Sequence, residues 1–135
     1  MEVSVAQRIL DDNFAPWVKA LNLVVTACDA QSATLCLPFD TGLVRVGGTL
    51  CGQALMSAAD TATVIAISSA LGGFKPMATV SQNTSFMRAI SQADVIIVAR
   101  VLKPGRTLVF GEVEMRAAGD ERLAVHVTTT YALAG

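Results

Sequence analysis

The hydrophobic positions of the chain change period near residue 78. Beyond it, Val95, Ile97, Ala99 and Val101 alternate with Ile96, Val98, Arg100 and Leu102, and Leu123, Val125, Val127, Thr129, Tyr131 and Leu133 alternate with smaller or polar residues. A period of two puts every second side chain on one face of a strand. The pattern predicts four strands, at 79–88, 93–102, 107–118 and 122–133, separated by Ser91-Gln92, Lys103-Pro104-Gly105-Arg106 and Gly119-Asp120-Glu121. Such short connections predict antiparallel neighbours. Near the start, Ala6 to Leu21 carries Ile9, Leu10 and Phe14 on one side of a short helix broken near Pro16. Two strands, Leu23–Cys28 and Thr34–Phe39, follow, with Asp29-Ala30-Gln31-Ser32 as the turn and Asp40-Thr41-Gly42 closing the second.

Between these halves, the 29 residues from Val46 to Phe74 hold a single charge, Asp60. Length alone lets this stretch compete as a membrane span. Its composition argues otherwise: Asp60 would sit mid-bilayer, glycines (Gly47, Gly48, Gly52, Gly72, Gly73) crowd both ends, and the middle is alanine, serine and threonine rather than leucine. A helix that is small or apolar all round is one enclosed by its own protein. It is predicted over Gly52–Leu71, stopped by Gly72-Gly73 and Pro76.

The order is then α-β-β-α-β-β-β-β within one domain spanning 1–135. One long helix must serve about six strands. The economical packing is an α+β hotdog fold, a strongly curved antiparallel sheet wrapped around the helix, whose small side chains let the strands approach.

Composition narrows the function classes. With 53% hydrophobic residues the chain can bury a real core, and a net charge of −1 with 5% aromatic residues offers no footprint for nucleic acid. Cys28, Cys36 and Cys51 lack CxxC spacing and His126 is the sole histidine, so neither a disulfide framework nor a metal site is expected. Met1–Arg8 has no basic segment leading into an apolar one, so the expectation is a cytoplasmic protein with no membrane association.

The run Cys51-Gly52-Gln53-Ala54-Leu55-Met56-Ser57-Ala58-Ala59-Asp60-Thr61-Ala62 resembles the helix-start motif of the PaaI-type acyl-CoA thioesterases of the hotdog superfamily. That motif reads approximately His-Gly-Gly and then Leu-Ala-Asp-Thr-Ala. The resemblance continues through Thr79–Arg88 and Arg100–Thr107 and covers about residues 20–134. Cys51 replaces the family's histidine, Gln53 its second glycine, and a polar residue upstream of the helix falls near Arg45.

Thioester hydrolysis needs a carboxylate to attack or to activate water, and a donor for the developing oxyanion. Asp60 is the carboxylate, since an aspartate in a core-facing helix costs stability without a task or partner. The alternative is a structural aspartate bonded to Ser57, Thr61 or Thr63. The donor is expected at a helix start, where amides are unpaired; Gly52 sits there, and the resemblance makes it the oxyanion residue. Asp60 and Gly52 are separated by eight residues, roughly 12 Å of helix, so one carbonyl cannot touch both and the site is expected to be shared between subunits. The resemblance likewise implies a homodimer or a dimer-of-dimers tetramer. It also makes Thr79 a positioning hydroxyl and Gln53 a thioester contact or helix cap. Cys51 is expected at the site rim, and Asn83 as a polar sheet position or a hold on the loop before the helix.

The substrate's other end has an independent hint. Residues 41–110 carry six basic side chains against two acidic ones, suited to coenzyme A phosphates. Arg88, Lys103, Gly105 and Arg106 lie where relatives bind that nucleotide. The expected activity is hydrolysis of acyl-CoA to free acid and coenzyme A with no cofactor beyond the substrate's own; the alternative is a non-catalytic acyl-CoA binding or sensing module. A Cys51 nucleophile lacks a nearby base, a serine hydrolase lacks its Gly-x-Ser-x-Gly elbow, and a hotdog dehydratase lacks its histidine.

Overall fold

The computed structural model describes residues 1–134. Two helices, α1 (Val3–Asn13) and α2 (Pro16–Lys19), precede strands β1 (Val24–Cys28) and β2 (Ser32–Leu37); a 3-10 turn at Thr41–Leu43 leads to the long helix α3 (Gly52–Leu71). Strands β3 (Met77–Phe86), β4 (Val95–Pro104), β5 (Leu108–Ala117) and β6 (Val125–Leu133) complete the chain. The break between α1 and α2 falls where Pro16 takes the first position of a new helix, which it tolerates because that residue's N–H has no intrahelical acceptor.

All six strands form one antiparallel sheet in the order β1-β2-β4-β5-β6-β3, with α3 across its inner face. This is the hotdog fold. One predicted pairing is corrected: β3 and β4 are not neighbours, for β3 pairs with β6 (Thr79 opposite Tyr131, Phe86 opposite Val125) while β4 lies between β2 and β5. The connection 87–94 spans the end of the sheet rather than turning a hairpin, and its eight residues easily cover the roughly 14 Å of three strand spacings. The first of these late strands also starts earlier than periodicity predicted, at Met77.

The core lies between α3 and the inward side chains of the sheet, including Leu35, Leu37, Ile97, Val113, Met115 and Val127, all fully buried. On α3, Leu55, Val64, Ile65 and Ile67 are the large buried side chains, each stabilising by about 1.5–3 kcal/mol on burial. Small residues bring helix and sheet together: Gly111 on β5 lies against Thr63, Thr129 and the Arg100 carbonyl, where even a Cβ would be crowded. Gly72, at φ +79°, ends α3, and the amides of Gly72 and Gly73 close onto the carbonyls of Ser69 and Ser68. Thus α3 is long and apolar enough to cross a membrane by length and composition, yet it is the core helix of this fold.

The two sheet edges are treated differently. Along β1, Gln7 of α1 acts as a substitute strand, its Oε1 accepting from the Val25 amide at 2.8 Å and its Nε2 donating to the Leu23 carbonyl at 3.2 Å. Along β3 the outer edge has no partner strand among the described residues, and most of its own residues are exposed. Open edges of this length are places where another chain adds.

Candidate active site

Asp60 is half-buried on the third turn of α3, facing the inner side of β3 and β6. Thr79 Oγ1 donates to Asp60 Oδ1 at 2.8 Å. The Tyr131 hydroxyl lies 2.8 Å from the Asp60 carbonyl oxygen and also contacts Oδ1. Thr79 and Tyr131 are cross-strand partners, so one register brings both hydroxyls to one carboxylate oxygen. Gln82, the next inward position along β3 past a bulge, donates to the Met56 carbonyl one helical turn before Asp60 at 3.0 Å. Of the intrahelical partners considered for Asp60, Thr61 and Thr63 give their hydroxyls instead to the carbonyls of Ser57 and Ala59, as threonines inside helices do.

Asp60 opens onto a depression of about 420 Å³ whose apolar wall is Phe14, Trp17, Val18 and Met56. No other charged side chain lines it. Gln53 contributes to this wall rather than capping the helix, which has no side-chain cap at Cys51. Tyr131 is 1% exposed; burial, and then its bond to Asp60, push its phenol well above the usual tyrosine range, so it remains a donor.

Gly52 starts α3 on a different depression, about 350 Å³, between Phe86 and the loop carrying Arg45 and Thr49, with Arg88 at its rim. The Gly52 amide has no backbone acceptor among the described residues, as befits a helix's first turn. A side chain there would meet the Phe86 ring at 3.1 Å. Within one chain the structure therefore unites Asp60, Thr79 and Gln53, and separately Gly52 and Arg88, but not the two groups.

The remaining predicted residues lie elsewhere. Lys103, Gly105 and Arg106 form the β4–β5 turn at the end of β6 that flanks the start of β3, whereas Arg88 follows the end of β3 and bonds Ala124, just before the other end of β6. Gly105 has a local reason to be glycine, since a Cβ would sit 2.2 Å from the Leu108 carbonyl oxygen that accepts its amide. Asn83, opposite Thr128, faces the outer side of the sheet and does not hold the loop before α3. Cys51 is partly buried against the core. His126 is engaged with Glu112 at 2.8 Å, and its register places it with the outward-facing positions of β6, away from Cys51.

The family profile of the Thioesterase superfamily matches residues 47–124, the span from the loop before α3 to the start of β6. The chain belongs to this superfamily. A candidate esterase of Thermoplasma volcanium is 32% identical over 108 residues, 74% of each chain. A candidate thioesterase structure from Silicibacter matches all of this chain and 93% of its own at 25% identity, with a TM-score of 0.89. The E. coli PaaI protein, from the phenylacetic acid degradation operon, shares the fold at a TM-score of 0.84 over 98% of this chain and 92% of its own, at 16% identity. The chain is thus a hotdog-fold member of the Thioesterase superfamily, PaaI-like in fold, and the chemistry of that superfamily is thioester hydrolysis. Among the residues of the Asp60 site that escaped the sequence reading are Tyr131, which looked like one more inward step of a strand, Gln82 and Met56, and Phe14, Trp17 and Val18, whose segment carried no signal of where it docks.

Proposed function

We propose that this superfamily member hydrolyses acyl-CoA thioesters to free acid and coenzyme A, in an assembly of two copies joined along β3. The observation that carries the reading is the Asp60 carboxylate, tied at one oxygen by Thr79 and Tyr131 beside an apolar depression with no competing charge. Asp60 either attacks the thioester carbonyl, forming an anhydride that water then hydrolyses, or draws a proton from the attacking water; in both routes the C–S bond breaks and the coenzyme A sulfur leaves as thiolate and takes up the proton that the water releases. Phe14, Trp17, Val18 and Met56 offer a wall for the acyl group. The oxyanion donor is the Gly52 amide of the second copy.

Strand geometry supports the shared site. Thr79 lies beside Asp60 and Phe86 beside Gly52, at opposite ends of β3. A second β3 running antiparallel about a two-fold axis near Gln82 and Asn83 would lay one copy's Thr79 end against the other's Phe86 end. The same operation carries the Lys103-Gly105-Arg106 turn of one copy towards Arg88 of the other, gathering basic groups for the nucleotide phosphates. The reaction draws on no cofactor beyond the coenzyme A of the substrate.

The test is thiol release from a panel of acyl-CoAs by the parent protein and by Asp60→Asn. Turnover in the parent and a loss of orders of magnitude in the variant, with an unchanged circular dichroism spectrum, is the expected result. Tight binding without turnover would instead make the chain an acyl-CoA binding or sensing module. An equally active Asp60→Asn would remove Asp60 from the reaction.

A further inference from the structure

Tyr131 has a position that folding alone does not require. Every other inward residue of β6 from Val125 to Leu133 is valine, threonine or leucine, and the strand's one tyrosine is also the chain's only one. A buried phenol needs a partner for its O–H, so an apolar residue would be the simpler filling for a core position. Its ring lies in the core, opposite Val109 of β5 and Thr79 of β3, and its hydroxyl ends at Asp60. Thr79 reaches the same carboxylate oxygen from the neighbouring strand.

We infer that Tyr131 is a positioning residue for catalysis: with Thr79 it occupies Oδ1 of Asp60, fixes the plane of the carboxylate, and leaves Oδ2 as the oxygen that meets substrate or water. This rests on the reading of Asp60 as the reacting carboxylate. Two donors on one oxygen are a geometric constraint as well as a charge-stabilising one, because a carboxylate held by a single bond still pivots about its Cβ–Cγ axis. The contact with the Asp60 carbonyl extends the constraint to the helix itself, so that the reacting group and its backbone are registered on the same phenol. The groups facing the phenol are Asp60 from α3 and Thr79 from β3, while β5 presents only Val109, so its donor role depends on no other titrating neighbour.

The test compares Tyr131→Phe, Thr79→Ala and the double variant by steady-state kinetics and thermal melting. Tyr131→Phe is expected to lower kcat about 10- to 100-fold, the scale of a lost hydrogen bond to a charged group, with KM within about two-fold. The double variant should lose less than the product of the single losses, since both bonds serve one oxygen. A melting temperature that falls while kcat holds would show Tyr131 to be a helix anchor only and overturn the inference. Should Tyr131→Phe fail to fold, 3-fluorotyrosine at position 131 keeps the core contact. Its more acidic phenol is a stronger donor to Oδ1, so kcat should change by at least about two-fold with KM held, and an unchanged kcat would overturn the inference equally. Asp60→Asn run alongside separates the two readings: if it is inactive and Tyr131→Phe is fully active, only the role of Tyr131 falls, whereas an active Asp60→Asn removes both.

Discussion

Gly52 and Asp60 share one helix yet open into separate depressions, eight residues apart along α3. If each site combines the Gly52 of one copy with the Asp60 of the other, defects in different chains should complement. Gly52→Pro removes the amide proton at a helix position that tolerates proline, and Asp60→Asn removes the carboxylate. Each variant alone is expected to be inactive. Randomly re-associated mixtures should regain about a quarter of parental activity, since about half the pairs are mixed and each holds one intact site of two. Thiol release after unfolding and refolding the mixture measures this, and no recovery would exclude a shared site.

Val80 is 60% exposed on the open strand β3. Replacing it by lysine leaves a solvated side chain in the single chain but places like charges along any β3 junction. Val80→Lys should sediment as the monomer, keep its circular dichroism spectrum and lose at least about ten-fold in activity, the cost of an incomplete site. A fully active monomer would contradict the two-copy arrangement.

At Gly111 a methyl group would stand 2.8 Å from Thr129 Oγ1 and 3.2 Å from the Arg100 carbonyl. Gly111→Ala therefore crowds the neighbouring strands β4 and β6, with Thr63 of α3 at an ordinary 3.7 Å, and overpacking of this kind costs about 1–3 kcal/mol. Urea unfolding should show a lower midpoint at unchanged slope.

Asp29 holds the β1–β2 turn: its carboxylate accepts from the Gln31 and Ser32 amides at 2.8 Å and from Ser32 Oγ at 2.9 Å. These bonds, that from Gln31 first, hold its carboxyl below the usual aspartate range. A depressed folded-state pKa stabilises the fold in full above the unfolded value and loses that contribution as pH falls through the folded one. Asp29→Asn should accordingly be less stable than the parent near neutrality, with the difference shrinking as pH drops below about 4, the ordinary aspartate range. Urea midpoints across that window check the sign.

The helix α3 was legible to the residue because two local signals coincide, the charge-free run and the Gly72-Gly73 stop. Strand faces were legible from period two. The partner of β3 was not: pairing with β6 is set by how the sheet closes over the helix, and a short link to β4 imitates a hairpin. Asp60 stood out as a charge in an uncharged segment. Tyr131 did not, because at an inward strand position a tyrosine reads as bulk; its hydroxyl acquires meaning only once β6 lies beside β3. The one available hint was its being the sole tyrosine among inward-facing valines.

Gln7 gives the sheet a stop at one end. With Gln7 occupying the Leu23 carbonyl and the Val25 amide while β3 is open, a pair of copies joined through β3 would have both outer margins partly blocked. Losing α1 would turn each molecule from a terminator into a link, because strands could then add at both margins and nothing in the geometry would limit the count. If copies join along β3, the first helix, through Gln7, is what hinders further strands from adding at their outer margins.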